Sequence, residues 1–332
     1  MSNLVEVKNL KKHFNTPKGL LHAVDGVSMS IEQATTMGVV GESGCGKSTF
    51  GRVIIHLHES TDGQIFFEGK DVTHVTAKEL FALRQNMQII FQDPYSSLDP
   101  RMTVEDTLKE PLALSKRFPK KELDKEVKRV MDMVGIAPRL RTSYPHELDG
   151  GRRQRVGIGR ALALNPKFVV CDEPVSALDV SIQAQVLNLL MDLQKEYGLT
   201  YLFVTHDLSV VRHISHKISV MYLGQLVETS PSKELFKKPL HPYTKALLSA
   251  IPSTDILKKK ELITMKGELT SPINPKPGCR FVARCSYARD ECLKPQRLEE
   301  IFPSHFVSCC RVKEINLNLA EADGRKNALV DG

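Results

Sequence analysis

Residues 41–49 carry the clearest chemical signal in the sequence. They read Gly-Glu-Ser-Gly-Cys-Gly-Lys-Ser-Thr and fit G-x-x-x-x-G-K-[ST], with Gly41, Gly46, Lys47 and Ser48 at the fixed positions. Glycines let successive backbone N–H groups surround a phosphate, Lys47 can reach the β- and γ-phosphates, and the Ser48 hydroxyl can bind Mg²⁺. We therefore predict a site for a nucleotide and Mg²⁺. The expected nucleotide contacts in this loop are Gly41, Glu42, Ser43, Gly44, Cys45, Gly46, Lys47, Ser48 and Thr49.

Polar side chains end three further segments that are predicted to be strands. Residues 168–173 form an apolar run that ends in Asp172 and Glu173, a pattern in which the first carboxylate holds Mg²⁺ and the second polarises the attacking water. His206 follows another apolar strand and could hydrogen-bond a γ-phosphate. Gln92 follows a third strand, and its amide oxygen could reach Mg²⁺. Taken alone, His206 would more often be structural, and Gln92 is a weak signal.

The elements around these residues predict an α/β domain. A short apolar strand precedes the phosphate loop, a helix follows it, and alternating strands lie at 4–14 and 23–31. Residues 104–137 have a helical pattern and give no catalytic signal, so we expect an all-helical insertion there. Phe14 offers a flat apolar partner for an adenine ring, although a phenylalanine in the core is an equally simple reading.

Composition narrows the classes of protein that the chain can represent. It has 332 residues, 41% of them hydrophobic, and a net charge of +7, which is typical of a soluble globular protein. No apolar run is long enough to span a membrane, and charged residues stand where a signal peptide would need its apolar core, so we expect a cytosolic protein. The sequence lacks an arginine-rich run with interleaved aromatics, which argues against a nucleic-acid partner.

The order of these motifs resembles the nucleotide-binding subunits of ABC transporters. Between the Gln92 loop and Asp172 lies a glycine-pair signature, and after Glu173 comes a Ser-Ala-Leu-Asp loop. The resemblance implies a head-to-tail dimer with ATP between one subunit's phosphate loop and the other's signature. It also implies that Glu173 is the general base and that Phe14 stacks on adenine. The remaining implied residues are Lys47, Gln92 and His206 for catalysis, Ser48, Gln92 and Asp172 for Mg²⁺, Leu148, Asp149, Gly150, Gly151 and Arg152 for the signature, and Ser176, Ala177, Leu178 and Asp179 for the D-loop.

The same resemblance implies a fold class and a division into domains. We expect a P-loop NTPase with a RecA-like core, an antiparallel β part and a helical subdomain at about 95–162, all within residues 1–250. Residues 251–332 are expected to form a C-terminal extension with a cysteine cluster and a loose tail beyond Arg311.

A narrower resemblance concerns the oligopeptide/dipeptide importers. It rests on residues 91–101 and on Pro-Leu-His-Pro-Tyr-Thr at 239–244, followed by Leu247-Leu248. It implies an ATPase that powers peptide import from the cytoplasmic face of the membrane, as a heterodimer with a second, D-type ATPase subunit. The further partners are two integral membrane permease subunits and an extracytoplasmic substrate-binding protein. Alternatives are a nickel or other non-peptide importer of the same family, or an ABC ATPase of DNA repair or translation.

Five of the seven cysteines crowd the C-terminal segment. In relatives of this kind, four cysteines at such spacings can hold a [4Fe–4S] cluster, and the matching positions are Cys279, Cys285, Cys292 and Cys309. Zinc is the alternative, although the intervals of five, six and sixteen residues lack the short C-x₂₋₄-C spacing of zinc knuckles. Unmetallated thiols are the third reading, and Cys310 is expected to be a bystander.

The signature departs from the family's usual Leu-Ser-Gly-Gly-Gln at two positions. Asp149 replaces the serine that faces the partner's γ-phosphate, and Arg152 replaces the glutamine. A carboxylate 4 Å from a phosphate charge would be repelled by about 4 kcal/mol at an effective dielectric of 20. Asp149 could instead cap the following helix and pair with Arg152, so we expect a signature that works at a tuned or slowed rate.

Overall fold

A computed structural model describes residues 2–251, 263–265, 267 and 270–316. Within that part of the chain, no helix is both long and apolar enough to cross a membrane. Most of the predicted loose tail, residues 317–332, lies outside the described residues, as do residues 252–262 of the predicted extension.

The strands and helices are numbered in the order in which they occur along the chain. The strands are β1 Asn3–Thr16, β2 Gly19–Glu32, β3 Thr36–Val40, β4 Asp62–Phe67, β5 Lys70–Asp71, β6 Met87–Ile90, β7 Phe168–Asp172, β8 Thr200–Thr205, β9 Lys217–Tyr222, β10 Gln225–Pro231, β11 Glu299–Phe302 and β12 His305–Val307. The helices are α1 Lys47–Ile54, α2 Ala77–Asn86, α3 Pro94–Ser97, α4 Val104–Ser115, α5 Leu123–Met133, α6 Gly150–Leu162, α7 Val180–Tyr197, α8 Leu208–Ile214, α9 Ser232–Lys237, α10 Pro242–Ser249 and α11 Val312–Ile315.

A mixed sheet forms the centre of the fold, with strand order β11-β12-β10-β9-β3-β8-β7-β6. Strands β9, β3, β8, β7 and β6 pair in parallel, and β10, β12 and β11 continue the sheet in antiparallel fashion. Every residue of β3, β7 and β8 is buried, as expected for parallel strands that are covered on both faces. The continuous apolar runs that predicted these strands reflect this double burial.

Successive residues of the central strands supply two separate parts of the core. Phe168 and Val170 of β7 pack with α1 and the antiparallel sheet β2-β1-β4-β5. Val169 and Cys171 face the opposite way and pack with α6, α7 and the helical region. The phosphate loop, which joins β3 to α1, is thus supported by one layer, and the signature helix α6 by the other.

The helical region differs from the sequence prediction in one place. Residues 92–100 were expected to form a loop, but Pro94–Ser97 make one turn of helix, because Asp93 accepts from the backbone N–H groups of Tyr95 and Ser96 and proline occupies the first turn. Helix α6 begins at Gly150, directly after the Asp149 cap, so the glycine pair belongs to its first turn.

The C-terminal segment is joined to the central sheet through the buried carboxylate of Glu228. This side chain, on β10, accepts the backbone N–H groups of Leu240 and His241 at 2.8 and 2.9 Å, and the Nε2–H of His305 on β12 at 2.7 Å. Burial lowers the pKa of His241 to about 4, so its neutral ring can accept the Tyr243 N–H and cap α10. One acidic residue therefore anchors the 239–244 motif and β12 together.

We predict that Glu228→Leu lowers the free energy of unfolding by about 3 kcal/mol or more, because three buried donors lose their acceptor. Urea denaturation of the purified chain measures the change. Glu299→Leu, at an exposed position of β11, is the matched control and should shift the transition by much less. Equal effects of the two substitutions would contradict the anchoring role.

Candidate nucleotide-binding site

The phosphate loop connects β3 to the N-terminus of α1, and its backbone requires glycine. Gly46 caps α1 with φ 105°, in the left-handed region. A Cβ built on it would stand 1.9 Å from the carbonyl oxygen of Ala23, a backbone atom that cannot move aside easily. The loop is therefore compact and leaves its N–H groups and the helix N-terminus available for phosphate.

Lys47 and Ser48 lie at the floor of the loop and are held by hydrogen bonds. Lys47 is buried and its Nζ donates to the carbonyl oxygens of Gly41 and Glu42 at 2.8 and 3.0 Å. The Ser48 hydroxyl donates to Asp172 Oδ1 at 2.6 Å, and Arg52 contacts the other oxygen of that carboxylate at 3.2 Å. A hydroxyl and a buried carboxylate side by side form the hard oxygen set that suits Mg²⁺.

Glu173 stands at the centre of a small group of polar side chains. Gln92 donates its amide to Glu173 Oε2 at 2.9 Å, and His206 Nδ1 lies 3.1 Å from Oε1. The backbone of Glu173 has φ 48°, which is unusual for a residue with a side chain, and its N–H is held by the carbonyl of Val204 at 2.9 Å. The structure thus brings together three of the residues predicted from separate strand ends.

A cleft of about 670 Å³ lies over the phosphate loop. Phe14 lines it, as do Gln92, Glu173 and His206. Eight other residues line the cleft and were not predicted as site residues, because they come from strands, helices and loops far apart in the sequence; they are Leu21, His22, Ala23, Leu208, Leu223, Gly224, Leu247 and Pro272. Arg52, which contacts Asp172, was also missed, although its position one helical turn after Ser48 could have indicated it.

The signature lies apart from this cleft. Among the described residues that line the cleft, none belongs to 148–152 or to the D-loop. Asp149 Oδ1 accepts the Arg152 N–H at 2.7 Å, and its Oδ2 lies 3.3 Å from Arg152 Nε, so the carboxylate caps α6 and pairs with arginine as expected. Both side chains remain about half exposed, at 57% and 46%. In the D-loop, Leu178 lies against Gly150.

The cysteines of the C-terminal segment surround one small cavity of about 10 Å³. The predicted ligand set Cys279, Cys285, Cys292 and Cys309 does not converge around a single ion, since no three of their sulfurs in the described residues lie within 4.8 Å of one another. The close pair is Cys292–Cys310, with sulfurs 3.9 Å apart, so Cys310, which was expected to be a bystander, lies beside one of the predicted ligands. Burial raises the pKa of Cys279 to about 11 and that of Cys309 to about 12, which keeps these thiols neutral at pH 7.

His13, His22 and Asp25 do form a compact group of potential ligands. The two imidazole rings stack at 3.9 Å between centroids, and each contacts Asp25. Arg280 also donates to this carboxylate. Burial tends to raise the pKa of Asp25, but the hydrogen bond with His22 and the charge of Arg280 outweigh it and lower the pKa below its usual value. Because the Arg280 guanidinium donates to the Asp25 carboxylate, we interpret the group as an ion-pair network.

Comparison with known proteins identifies two family regions in the chain. The ABC transporter family matches residues 24–176, and the C-terminal region of oligopeptide/dipeptide transporters matches residues 227–292. The oligopeptide transport ATP-binding protein OppF of Escherichia coli is 50% identical, over 92% of this chain and 93% of its own length. AppF of Bacillus subtilis, also named an oligopeptide transport ATP-binding protein, is 49% identical over 92% and 96%.

Solved structures agree with this assignment. The ATP-binding cassette MJ0796, in a dimeric post-hydrolysis state bound to ADP and Pi, superposes with a TM-score of 0.63 at 28% identity, covering 69% of this chain and 98% of that one. CbiO1 from Clostridium perfringens, part of the transporter complex CbiONQ, gives a TM-score of 0.64 at 28% identity, covering 72% and 92%.

Proposed function

Since the chain belongs to the ATP-binding subunits of the oligopeptide/dipeptide class of ABC transporters, we propose that it hydrolyses ATP to power the import of peptides through a membrane complex. The observation that carries this proposal is the convergence of Lys47, Ser48, Glu173 and His206 on one cleft, with Asp172 hydrogen-bonded to Ser48, in a chain about half identical to oligopeptide transport subunits.

In this proposal the cleft binds ATP with Mg²⁺, and each side chain has one task. The phosphate loop holds the β- and γ-phosphates, while Ser48 and Asp172 hold the metal, which supplies electrostatic stabilisation of the transferred phosphoryl group. Glu173 orients and polarises the attacking water, and His206 contacts the γ-phosphate. Gln92, hydrogen-bonded to Glu173, connects this carboxylate to the surface.

We propose that the signature completes the site of a second ATPase subunit. It lies outside the chain's own cleft, and its exposed Asp149–Arg152 pair can face a partner. Because the Asp149 carboxylate is engaged by the helix N-terminus and Arg152, its repulsion of a facing phosphate is reduced, which fits a working but slowed signature.

The surface beside Gln92 offers a contact for a membrane permease. A groove of about 490 Å³ runs between the end of β6 and helix α4, and Leu114 on its rim is 64% exposed. Phe91 lines this groove and directly precedes Gln92. We propose that a cytoplasmic segment of the permease occupies this groove. Movement of that segment would then be transmitted to Glu173 through Gln92. The protein would then be peripheral, on the cytoplasmic face of the membrane.

We also propose that the cysteine cavity binds a thiophilic metal, with a [4Fe–4S] cluster as the first candidate and zinc as the alternative. The chemistry of the donors suits both, because thiolates are the preferred ligands of iron–sulfur clusters and of structural zinc. The 3.9 Å Cys292–Cys310 spacing is close to the roughly 3.8 Å between two thiolates on one tetrahedral zinc at about 2.3 Å. For zinc, two further sulfurs would have to move inward on binding.

The proposed role of Glu173 as the general base can be tested by substitution. Glu173→Gln should lower the rate of ATP hydrolysis by about 10²- to 10⁴-fold while ATP binding persists, because the amide keeps the shape but cannot polarise water. Steady-state ATPase and nucleotide-binding assays on the assembled complex measure both quantities. Glu196→Gln, an exposed carboxylate of α7, is the control. Normal hydrolysis by Glu173→Gln would show that the base is elsewhere.

The proposed metal of the cysteine cavity can be tested by metal analysis. The full-length chain, purified without oxygen, should contain iron and acid-labile sulfide, and Cys279→Ser with Cys309→Ser should remove them. Metal analysis by mass spectrometry together with visible absorbance gives the readout. Zinc without sulfide would replace the cluster by the alternative, and the absence of both metals would refute a metal site.

A further inference from the structure

Two arginines of the C-terminal segment reach the walls of the nucleotide cleft. Arg284 Nη1 donates to the Glu42 carboxylate at 2.7 Å, and Arg280 Nη2 donates to the carboxylate of Asp25. Both guanidinium groups are nearly enclosed, with 9% and 6% of their side chains exposed. Neither belongs to a motif of the ATPase fold, and the first contact joins residues 242 positions apart in the sequence.

Glu42 is the second residue of the phosphate loop and lines the cleft. Its N–H donates to the Tyr243 hydroxyl at 2.9 Å, and its carbonyl accepts from Lys47 at 3.0 Å, so its backbone is held on both sides. Its negative charge stands beside the place where a triphosphate must bind. Without a counter-ion, this carboxylate would repel the ligand through the partly enclosed cleft.

Arg284 provides that counter-ion. The hydrogen bond with Glu42 raises the pKa of the Arg284 guanidinium further above its usual value, so the group is charged at every physiological pH. Burying Arg284 costs free energy, because its Nε has no hydrogen-bond partner among the described residues. Tyr222 lies beneath the guanidinium, 6.0 Å from ring centroid to Cζ. The pair is therefore built into the fold and is not a surface contact.

Arg280 supports the same loop by a second route. It donates to the carbonyl of Leu223 as well as to Asp25. Next to Leu223, Gly224 accepts the Asp25 N–H at 2.8 Å and donates its own N–H to the carbonyl of Cys45 in the phosphate loop, also at 2.8 Å. The turn that this arginine holds is thus hydrogen-bonded directly to the loop.

We propose that Arg284 is a positioning residue for nucleotide binding, which neutralises Glu42 and holds the phosphate loop open to ATP. The C-terminal segment is then a part of the nucleotide site. Arg284 adjoins Cys285 and Arg280 adjoins Cys279, so the packing around the cysteine cavity determines where both guanidinium groups stand. The inference rests on the proposed ATPase and is independent of the transported cargo.

The test measures ATP affinity by calorimetry on the full-length chain, with EDTA present to prevent hydrolysis. Arg284→Gln should weaken ATP binding by about tenfold, because it leaves the partly buried Glu42 charge unpaired beside the phosphate site. The double variant Arg284→Gln/Glu42→Gln should recover most of the affinity. Glu42→Gln alone should bind ATP about threefold more tightly, because the guanidinium charge is then free to act on the phosphates. Arg284→Lys should retain most of the wild-type affinity.

Arg289→Gln, which removes an exposed arginine of the same segment, is the control and should bind ATP as the wild type does. Recovery of ATP affinity in the double variant indicates charge neutralisation. A purely structural role of Arg284 would instead leave Arg284→Gln and the double variant equally weak in ATP binding. That result, or wild-type affinity of a folded Arg284→Gln, would overturn the proposal. If Arg284→Gln does not fold, weaker binding by Glu42→Gln would overturn it instead. Absence of ATP binding by the wild type would refute the ATPase function itself.

Discussion

The register of three adjacent parallel strands determines where the chemistry takes place. Val40 at the end of β3 pairs with Thr205 of β8, and Val204 pairs with Asp172 at the end of β7. The next residues along each strand are Gly41, His206 and Glu173, so one sheet edge carries the phosphate loop, the proposed γ-phosphate contact and the proposed base. A shift of one residue in either pairing would turn these side chains to the opposite face.

Contacts from outside the core complete the site around that edge. The antiparallel sheet contributes Phe14 of β1 and Ala23 of β2, and the C-terminal segment contributes Pro272 and Arg284. The same segment extends the central sheet through β12, anchored by the buried Glu228. The ATPase core and the C-terminal segment therefore share both a sheet and a binding cleft, so changes in one are expected to affect the other.

The sequence predicted those features whose signal is local. The phosphate loop and the carboxylates after β7 follow from residue spacing within one strand and one turn, and the Asp149 cap follows from a residue type at a helix start. The Arg284–Glu42 contact could not be predicted, because two ordinary charged residues far apart in sequence carry no pattern. The Pro94–Ser97 turn was missed since prolines and serines also suit a loop, and the cysteine spacing did not reveal that Cys310 approaches Cys292.

Peptide uptake by cells tests the central proposal most directly. The chromosomal gene is deleted in the native organism, and uptake of a labelled oligopeptide is measured after complementation with the wild-type chain or with Glu173→Gln at equal expression. We predict that deletion abolishes ATP-dependent uptake, that the wild type restores it, and that Glu173→Gln does not. Unchanged peptide uptake in the deletion strain, or full restoration by Glu173→Gln, would contradict an ATPase that drives peptide import.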